Sequence, residues 1–416
     1  MSAVTVTTNE NKAARTGPER LLAALRANMV AFQPGVAEAF LAVPRHLFLP
    51  GFPEDQAYRD LPFVTKRGAD GLPLSSSSQP STMAMMLDLL GLRPGMRVLE
   101  IGAGTGYNAA LMSAIAGAEG KVVTVDIDGD VASSARRNLM SAGFDQVTVL
   151  HGDGSVGSEE HAPYDRIIVT AGAGDLSPAW TGQLAVAGRI VVPLTLRIVQ
   201  RVVAFEKDDG FLRSTAVRDC GFMGGFISLA GWGSGAEVTY GLPGKPDVYL
   251  RAAGDVGADP DALSGALDGA QLTVPTGLHV RLMDVIRGLG LWLALAEPRL
   301  VSLFADGAAA DGGSLVPPLV AFPGYRGTAG IAEPDGLAVL VPDRPGSAEF
   351  GLLVTGIGAD AQRLAGELVE HVRAWDACGR PSTTGLRIHA YPPGHAGAQR
   401  HEFVISKQHV RLGLGW

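Results

Sequence analysis

Residues 98–108 read VLEIGAGTGYN: an apolar run, three alternating glycines, and the opening of a helical pattern. Gly102, Gly104 and Gly106 let the chain turn tightly and let a ligand approach bare backbone. The same texture extends outward from this loop. Strand-like runs RVLEI (97–101), KVVTVDI (121–127), QVTVL (146–150), DRIIVTA (165–171) and GRIVVPL (188–194) alternate with helical segments such as YNAALMSAIAG (107–117) and DVASSARRNLMSAG (130–143). Near-continuous Val/Ile/Leu runs alternating with helices predict a doubly wound, Rossmann-like α/β fold, its parallel sheet covered on both faces.

The residues around the loop narrow the ligand. A dinucleotide fingerprint G-x-G-x-x-G needs a third glycine at 107, where the chain has Tyr107. Glu100 ends the strand-like run. A carboxylate there would repel a pyrophosphate but could attract, directly or through water, the ammonium of a bound amino acid. Asp126 ends the next run, where an acidic side chain accepts hydrogen bonds from ribose hydroxyls. Asp153, in LHGDG (150–154), follows the third run and can accept from an adenine amino group. S-adenosyl-L-methionine carries that ammonium and no phosphate, so the loop favours this cofactor over NAD.

SSSSQPSTMAMM (75–86) runs a polar stretch straight into a helix start. Residues 51–79 read as loop, Pro80 fits the first helical position, and either Ser78 or Gln79 falls where a cap belongs. Met83, Met86, Leu87 and Leu90 recur at helical spacing on one face. A polar loop feeding a helix N-terminus is a ready site for an anion.

VPRHLFLP (43–50), AYRDLPF (57–63), SQPSTMAMMLDLL (78–90), PGMRVLEIGAGTGYNAALMS (94–113), HGDG (151–154) and YDRIIVTAGA (164–173) together resemble, in order, the protein-L-isoaspartate O-methyltransferases. The resemblance runs from about residue 20 to 225. It implies a class I S-adenosylmethionine-dependent methyltransferase fold and methyl esterification of an aspartate-derived carboxylate, with S-adenosyl-L-homocysteine as product. It places Ser78 on the family's active-site serine, and Glu100, Gly102, Gly104, Asp126 and Asp153 on its cofactor positions. Ala103, Thr105, Gly106, Ile127 and Gly154 are counted with the cofactor contacts. Tyr58, Asp60, Val64 and Thr65 lie in a segment resembling the family's peptide-binding loop. The expected substrate contacts are Tyr58, Val64, Thr65, Ser77 and Gln79, with Ala171 and Gly172 at the end of a strand, where ligands bind such sheets. An aspartate carboxylate is ionised at neutral pH, so the reaction needs no general base and rests on positioning and electrostatics. The acceptor carboxylate is expected at the Ser78 hydroxyl and the N-terminus of the helix that follows.

The chain departs from a plain repair enzyme in its lead-in KRGADGLPLSSSS (66–78) and in the residues beyond 225. The ending HEFVISKQHVRLGLGW (401–416) looks like that of C-terminally extended members associated with ribosomal peptide (lanthipeptide or graspetide) biosynthesis, which esterify an ordinary aspartate that then closes to an aspartimide. That resemblance implies a macrocyclised precursor peptide as substrate. General isoaspartate repair and a catalytically idle peptide-binding scaffold are the alternatives.

The expected organisation is a flexible tail over 1–17, a methyltransferase domain with N-terminal helices and substrate loop over 18–225, and a C-terminal α+β extension over 226–416 that recognises the peptide. In that extension, a docked helix is expected near 360–375, and Val410, Leu412, Leu414 and Trp416 alternate as a half-buried strand. A net charge of −8 excludes a general nucleic-acid or anionic-membrane binder, and no run of about 18 apolar residues occurs. Cys220 and Cys378 are too few for a disulfide framework and read as buried small hydrophobes. The four histidines of 389–409 lack tight metal-ligand spacing, so no metal is expected. The reading is a cytoplasmic enzyme, monomeric or homodimeric.

Overall fold

The computed structural model describes residues 16–28, 32–69, 71, 73–219, 238–306, 318–322 and 325–416. The expected boundary near 225, Cys220, and all of the expected tail except Thr16 and Gly17 lie outside the described residues. The chain divides into two compact units: one reaching to Thr170 and including Gln183–Val191, the other made of Ala171–Gly182 and Val192–Trp416.

The first unit opens with α1 (Gly17–Ala27), α2 (Pro34–Ala42) and the short α3 (Glu54–Ala57), then β1 (Phe63–Arg67), β2 (Pro73–Ser77) and α4 (Pro80–Leu90). There follow β3 (Arg97–Ile101), α5 (Tyr107–Ala116), β4 (Lys121–Asp126), α6 (Gly129–Ser141), β5 (Thr148–His151) and β6 (Tyr164–Val169). After α7 (Pro178–Gln183), β7 (Leu184–Leu196) begins in this unit. β7, β6, β3, β4 and β5 lie side by side in that order, and every pair is parallel. The apolar runs explain the centre: Leu99 and Ile101 of β3 and Ile167 and Val169 of β6 are all fully buried. The chain leaves β3 toward β4 and β5, then returns to build β6 and β7 on the other side. That reversal makes the crevice beyond β3 a topological switch point, where such sheets take ligands.

The second unit holds β8 (Val199–Lys207), β9 (Leu212–Asp219), β10 (Val238–Gly241), β11 (Val248–Ala252), α8 (Pro260–Leu267), β12 (Gln271–Arg281), α9 (Leu282–Asp284) and α10 (Gly290–Ala296). It continues with β13 (Leu300–Asp306), β14 (Val320–Phe322), β15 (Tyr325–Glu333), β16 (Gly336–Pro342), β17 (Glu349–Gly358), α11 (Ala361–Ala377), β18 (Arg387–Tyr391), β19 (Phe403–Ser406) and β20 (Arg411–Gly415). β10, β11, β13, β15, β16, β17 and β12 form an antiparallel sheet in that order, with β14 paired to β15. Strand alternation feeds two cores. Leu337, Val339 and Val341 pack with Leu263 and Leu267 of α8, while Ala338 and Leu340 pack with Leu364, Leu368, Val372 and Trp375 of α11.

The helix expected near 360–375 is therefore present, and the final alternation forms β20, with Leu412 and Leu414 fully buried. Trp416 is a packing residue, its ring against Trp292 and Phe403 and its indole N–H donated to the Ser382 carbonyl. Cys378 corrects the expectation for a buried cysteine: it follows the end of α11 and is exposed. Among the described residues no helix is long and apolar enough to cross a membrane, and no group of three or more His, Cys, Asp or Glu residues could hold a metal ion.

Candidate active site

The loop between β3 and α5 is shaped by its three glycines, which all adopt positive φ: 101° at Gly102, 52° at Gly104 and 85° at Gly106. A Cβ at Gly106 would lie 3.1 Å from the Ala135 carbonyl oxygen and 3.1 Å from Leu139 of α6. The loop is pinned by its own backbone. Gly102 N–H donates to the Val125 carbonyl (2.8 Å), Gly106 N–H to Ala103 (2.8 Å), and the Thr105 carbonyl accepts from Asn138 Nδ2 (3.0 Å). The Thr170 hydroxyl, which the sequence did not single out, lies 3.0 Å from the Ile101 carbonyl oxygen and 2.7 Å from that of Gly102.

Asp126 sits at the end of β4, with Oδ2 accepting from Gly104 N–H (3.1 Å) and Oδ1 from Asp128 N–H (3.0 Å). Burial raises its pKa, against the pull of these amides. Gly152 N–H donates to the Asp126 carbonyl (2.9 Å), which brings the 151–154 turn beside it. Asp153 there is exposed and receives Ser155 N–H on Oδ1 (2.8 Å). Gly154 packs so close to β3 that a Cβ would lie 2.5 Å from Ile101 Cγ2. Ile127 leaves half its surface open next to Asp126.

Glu100 departs from the expectation. It is 0% exposed, with Oε1 accepting from Asn108 Nδ2 (2.7 Å) and Oε2 from the Thr124 hydroxyl (2.7 Å). A direct contact with a ligand's ammonium is closed to a side chain with no accessible surface. What Glu100 does here is tie the first turn of α5 to β4. Burial pushes its pKa up to about 7, with the Asn108 and Thr124 hydrogen bonds working the other way.

The serine run is not a loop. Pro73–Ser77 is β2, paired antiparallel with β1 so that Val64 faces Ser76 and Phe63 faces Ser77. The Thr65 hydroxyl reaches Ser75 Oγ (3.4 Å). This hairpin meets the glycine loop, for a Cβ at Gly104 would lie 3.4 Å from the Ser76 carbonyl oxygen. Lys66 fastens it to the start of α6, with Nζ 2.7 Å from Asp128 Oδ2 and 2.9 Å from Asp130 Oδ2.

α4 begins at Pro80 as expected, but neither Ser78 nor Gln79 caps it with a side chain. Asp60 does: Oδ1 accepts Ser81 N–H (2.8 Å), and Oδ2 accepts Gln79 Nε2 (3.3 Å) and Asn28 Nδ2 (3.0 Å). The place expected for a substrate carboxylate at this helix end is thus already held by the protein's own carboxylate. At the other end Arg166 donates to the Leu90 carbonyl (2.7 Å) and Arg189 to that of Leu89 (2.7 Å), so fixed charges complement both ends of the dipole. Ser78 is half-buried just before the helix, and its hydroxyl has no hydrogen-bond partner among the described residues. Tyr58, expected to touch substrate, is instead 5% exposed with its hydroxyl 2.8 Å from His46 Nδ1. Ala171 and Gly172 belong to the second unit, while the other expected site residues lie in the first.

One side chain central to this geometry was missed by the sequence reading. Arg45, from VPRHLFLP, is fully buried behind Ser77 and Ser78, and burial lowers its pKa to about 10 against the pull of Tyr107 and Asp60.

A segment of 180 residues is 43% identical to a protein-L-isoaspartate O-methyltransferase of Thermotoga maritima, covering 42% of this chain and 56% of that relative. A second, from Methanopyrus kandleri, is 40% identical over 216 residues, 51% of this chain and 93% of the relative. A solved protein-L-isoaspartate O-methyltransferase structure superposes with a TM-score of 0.48 at 27% identity, covering 89% of this chain and 96% of the other. The family model for protein-L-isoaspartate(D-aspartate) O-methyltransferase matches residues 16–225, just over half of the 416 residues, and takes in the glycine loop, the acids beyond it and the Ser78 segment. The chain belongs to the protein-L-isoaspartate(D-aspartate) O-methyltransferase family.

Proposed function

We propose that this protein transfers a methyl group from S-adenosyl-L-methionine to the free α-carboxylate of isoaspartyl residues in proteins or peptides, the group left outside the backbone when the chain runs through the β-carbonyl. The observation that carries this reading is the meeting of two pieces within one unit. The β2 strand that leads to Ser78 lies against the positive-φ glycine loop, with the Asp126 and Asp153 carboxylates at the neighbouring strand ends. The residues fit the cofactor: Asp126 retains lone pairs beyond the two amides it accepts and suits a ribose diol, the exposed Asp153 suits an adenine amino group, and Ile127 offers an apolar surface. When bound, the cofactor supplies an electrophilic methyl on a sulfonium. A carboxylate oxygen forms the new bond to carbon as the carbon–sulfur bond breaks, and the opposite charges of the reactants cancel. No proton moves, so the chain's task is to orient the acceptor, and the donor proposed for it is the Ser78 hydroxyl, which has no hydrogen-bond partner among the described residues.

The test is methyl transfer to a short isoaspartyl peptide, followed by mass spectrometry. Ser78→Ala should slow transfer by roughly 10- to 1000-fold while leaving S-adenosylhomocysteine affinity nearly unchanged. Equal loss of both would assign Ser78 to structure. A second reading is supported by the second unit, most of which lies beyond the family match, with its own sheet and two cores. In it the acceptor is an ordinary aspartate of a ribosomally made, macrocyclised peptide, and the ester loses methanol to the next backbone nitrogen to form an aspartimide. Under that reading the treated peptide ends lighter than the starting peptide by one water, and the second unit contributes to peptide recognition.

A further inference from the structure

Arg45 is an unusual place to bury a cation. Its guanidinium is buried and lies 5.5 Å from each of the Phe63 and Tyr107 rings. Among the described residues Nη1 reaches one uncharged oxygen, the two hydrogens of Nη2 are shared among three more, and Nε has no partner. Two run to the segment on one side, to the carbonyls of Arg59 (3.2 Å) and Leu61 (3.4 Å). Two run to the other, to Ser77 Oγ (3.3 Å) and the Ser78 carbonyl (3.1 Å). Asp60, between the first two acceptors, crosses the same gap the opposite way through Ser81 N–H and Gln79 Nε2. The segments 59–61 and 77–81 are thereby bound by two clasps of opposite charge, with Ser78 between them.

We propose that Arg45, with Asp60 as its counterpart, is the positioning residue of the acceptor site: its planar fork fixes the backbone of Ser78 and so aims the hydroxyl. Asp60 only partly counters the effect of burial on Arg45, and no ion pair joins them among the described residues, so what the clasp supplies is geometry. A planar, five-donor fork can hold carbonyls of two segments at once, and an ammonium on a flexible stem cannot hold them with the same precision. Burial without a carboxylate in contact is costly, which fits a residue kept for placement rather than for stability.

This inference rests on the proposed role of Ser78, and its test separates the two. Hydrogen exchange of the full-length Arg45→Lys protein reads the clasp without reference to activity. Exchange in residues 74–82 should quicken by roughly 10-fold while residues 98–108 stay as in the parent. Methyl transfer is then measured in a cycle of Arg45→Lys, Ser78→Ala and the double variant. Arg45→Lys alone should lower kcat by roughly 10- to 100-fold with little change in KM. In the Ser78→Ala background it should cost no more than about twofold, since the group it aims is gone. Unchanged exchange at 74–82, a kcat within about twofold of the parent, or full additivity of the two substitutions would each overturn the proposal. If Arg45→Lys does not fold, Asp60→Ala is put through the same exchange and rate measurements with the same expectations. A parent protein that transfers no methyl group refutes the proposed function, while the exchange result still decides whether the clasp exists.

Discussion

Glu100 carries a pH dependence that can be checked directly. Its pKa is raised from 4.5 to about 7, with burial the largest cause, so between these values the folded protein holds a proton that the unfolded chain has released. Stability therefore falls as pH rises through that window, by about 3 kcal/mol in total for this group, and the loss persists above it. Chemical denaturation at pH 5 and pH 8 should show the parent weaker at pH 8, and Glu100→Gln should remove most of this difference. An undiminished difference would place the proton elsewhere. Asp126→Ala should weaken S-adenosylhomocysteine binding by roughly 1.5–3 kcal/mol in calorimetry, the scale for hydrogen bonds to a charged acceptor, and unchanged affinity would refute its assignment. At this scale the sequence showed which acids end which strands. It did not show that Asn108 and Thr124 enclose Glu100, or that Arg45 stands behind Ser78, because those partners come from chain segments that only folding brings together.

At the scale of elements, the glycine loop was legible because positive φ excludes most other residues. Gly106→Ala would strain a φ of 85° and press a methyl within 3.1 Å of the Ala135 carbonyl oxygen and Leu139. It should lower stability by about 1–3 kcal/mol in urea titration. The hairpin of β1 and β2 was not legible. PLSSS has no apolar alternation, and its strand character comes from pairing with FVTKR across the turn and from the Lys66 contacts to Asp128 and Asp130. The start of α4 and its N-cap position, at Gln79, were read correctly from Pro80, yet the capping side chain was not, since Asp60 reaches it from well outside the helix. A cap supplied by a distant segment leaves no local signal.

At the scale of the molecule, cutting the chain where the family match ends should be harmful. β9 pairs with β18, Arg213 opposite His389 and Leu212 opposite Ala390, and Ser214 Oγ accepts the Ile388 N–H at 2.8 Å. A protein ending at 225 would keep β9 and lose that neighbour, exposing an unpaired sheet edge. It should melt at lower temperature than the full chain or aggregate, as scanning calorimetry and light scattering would show; equal melting would mean β18 contributes nothing to β9. Within the second unit, Leu368→Ala removes a fully buried side chain between α11 and its sheet and should cost about 2–5 kcal/mol in chemical denaturation.

The sequence by itself determined the parallel α/β sheet, the glycine loop and the order of the acids, because each rests on local rules: apolar runs, backbone freedom and strand ends. It also marked α11 and β20 through the period of their apolar residues. Only the tertiary structure decided that the first three serines of the run lie in a strand, that Glu100 is closed off, that Asp60 accepts from the helix end expected for a substrate, and that the second unit takes in Ala171–Gly182. Each of those outcomes depends on contacts between residues far apart in the chain, where pairing, burial and charge are set by neighbours that no local pattern records.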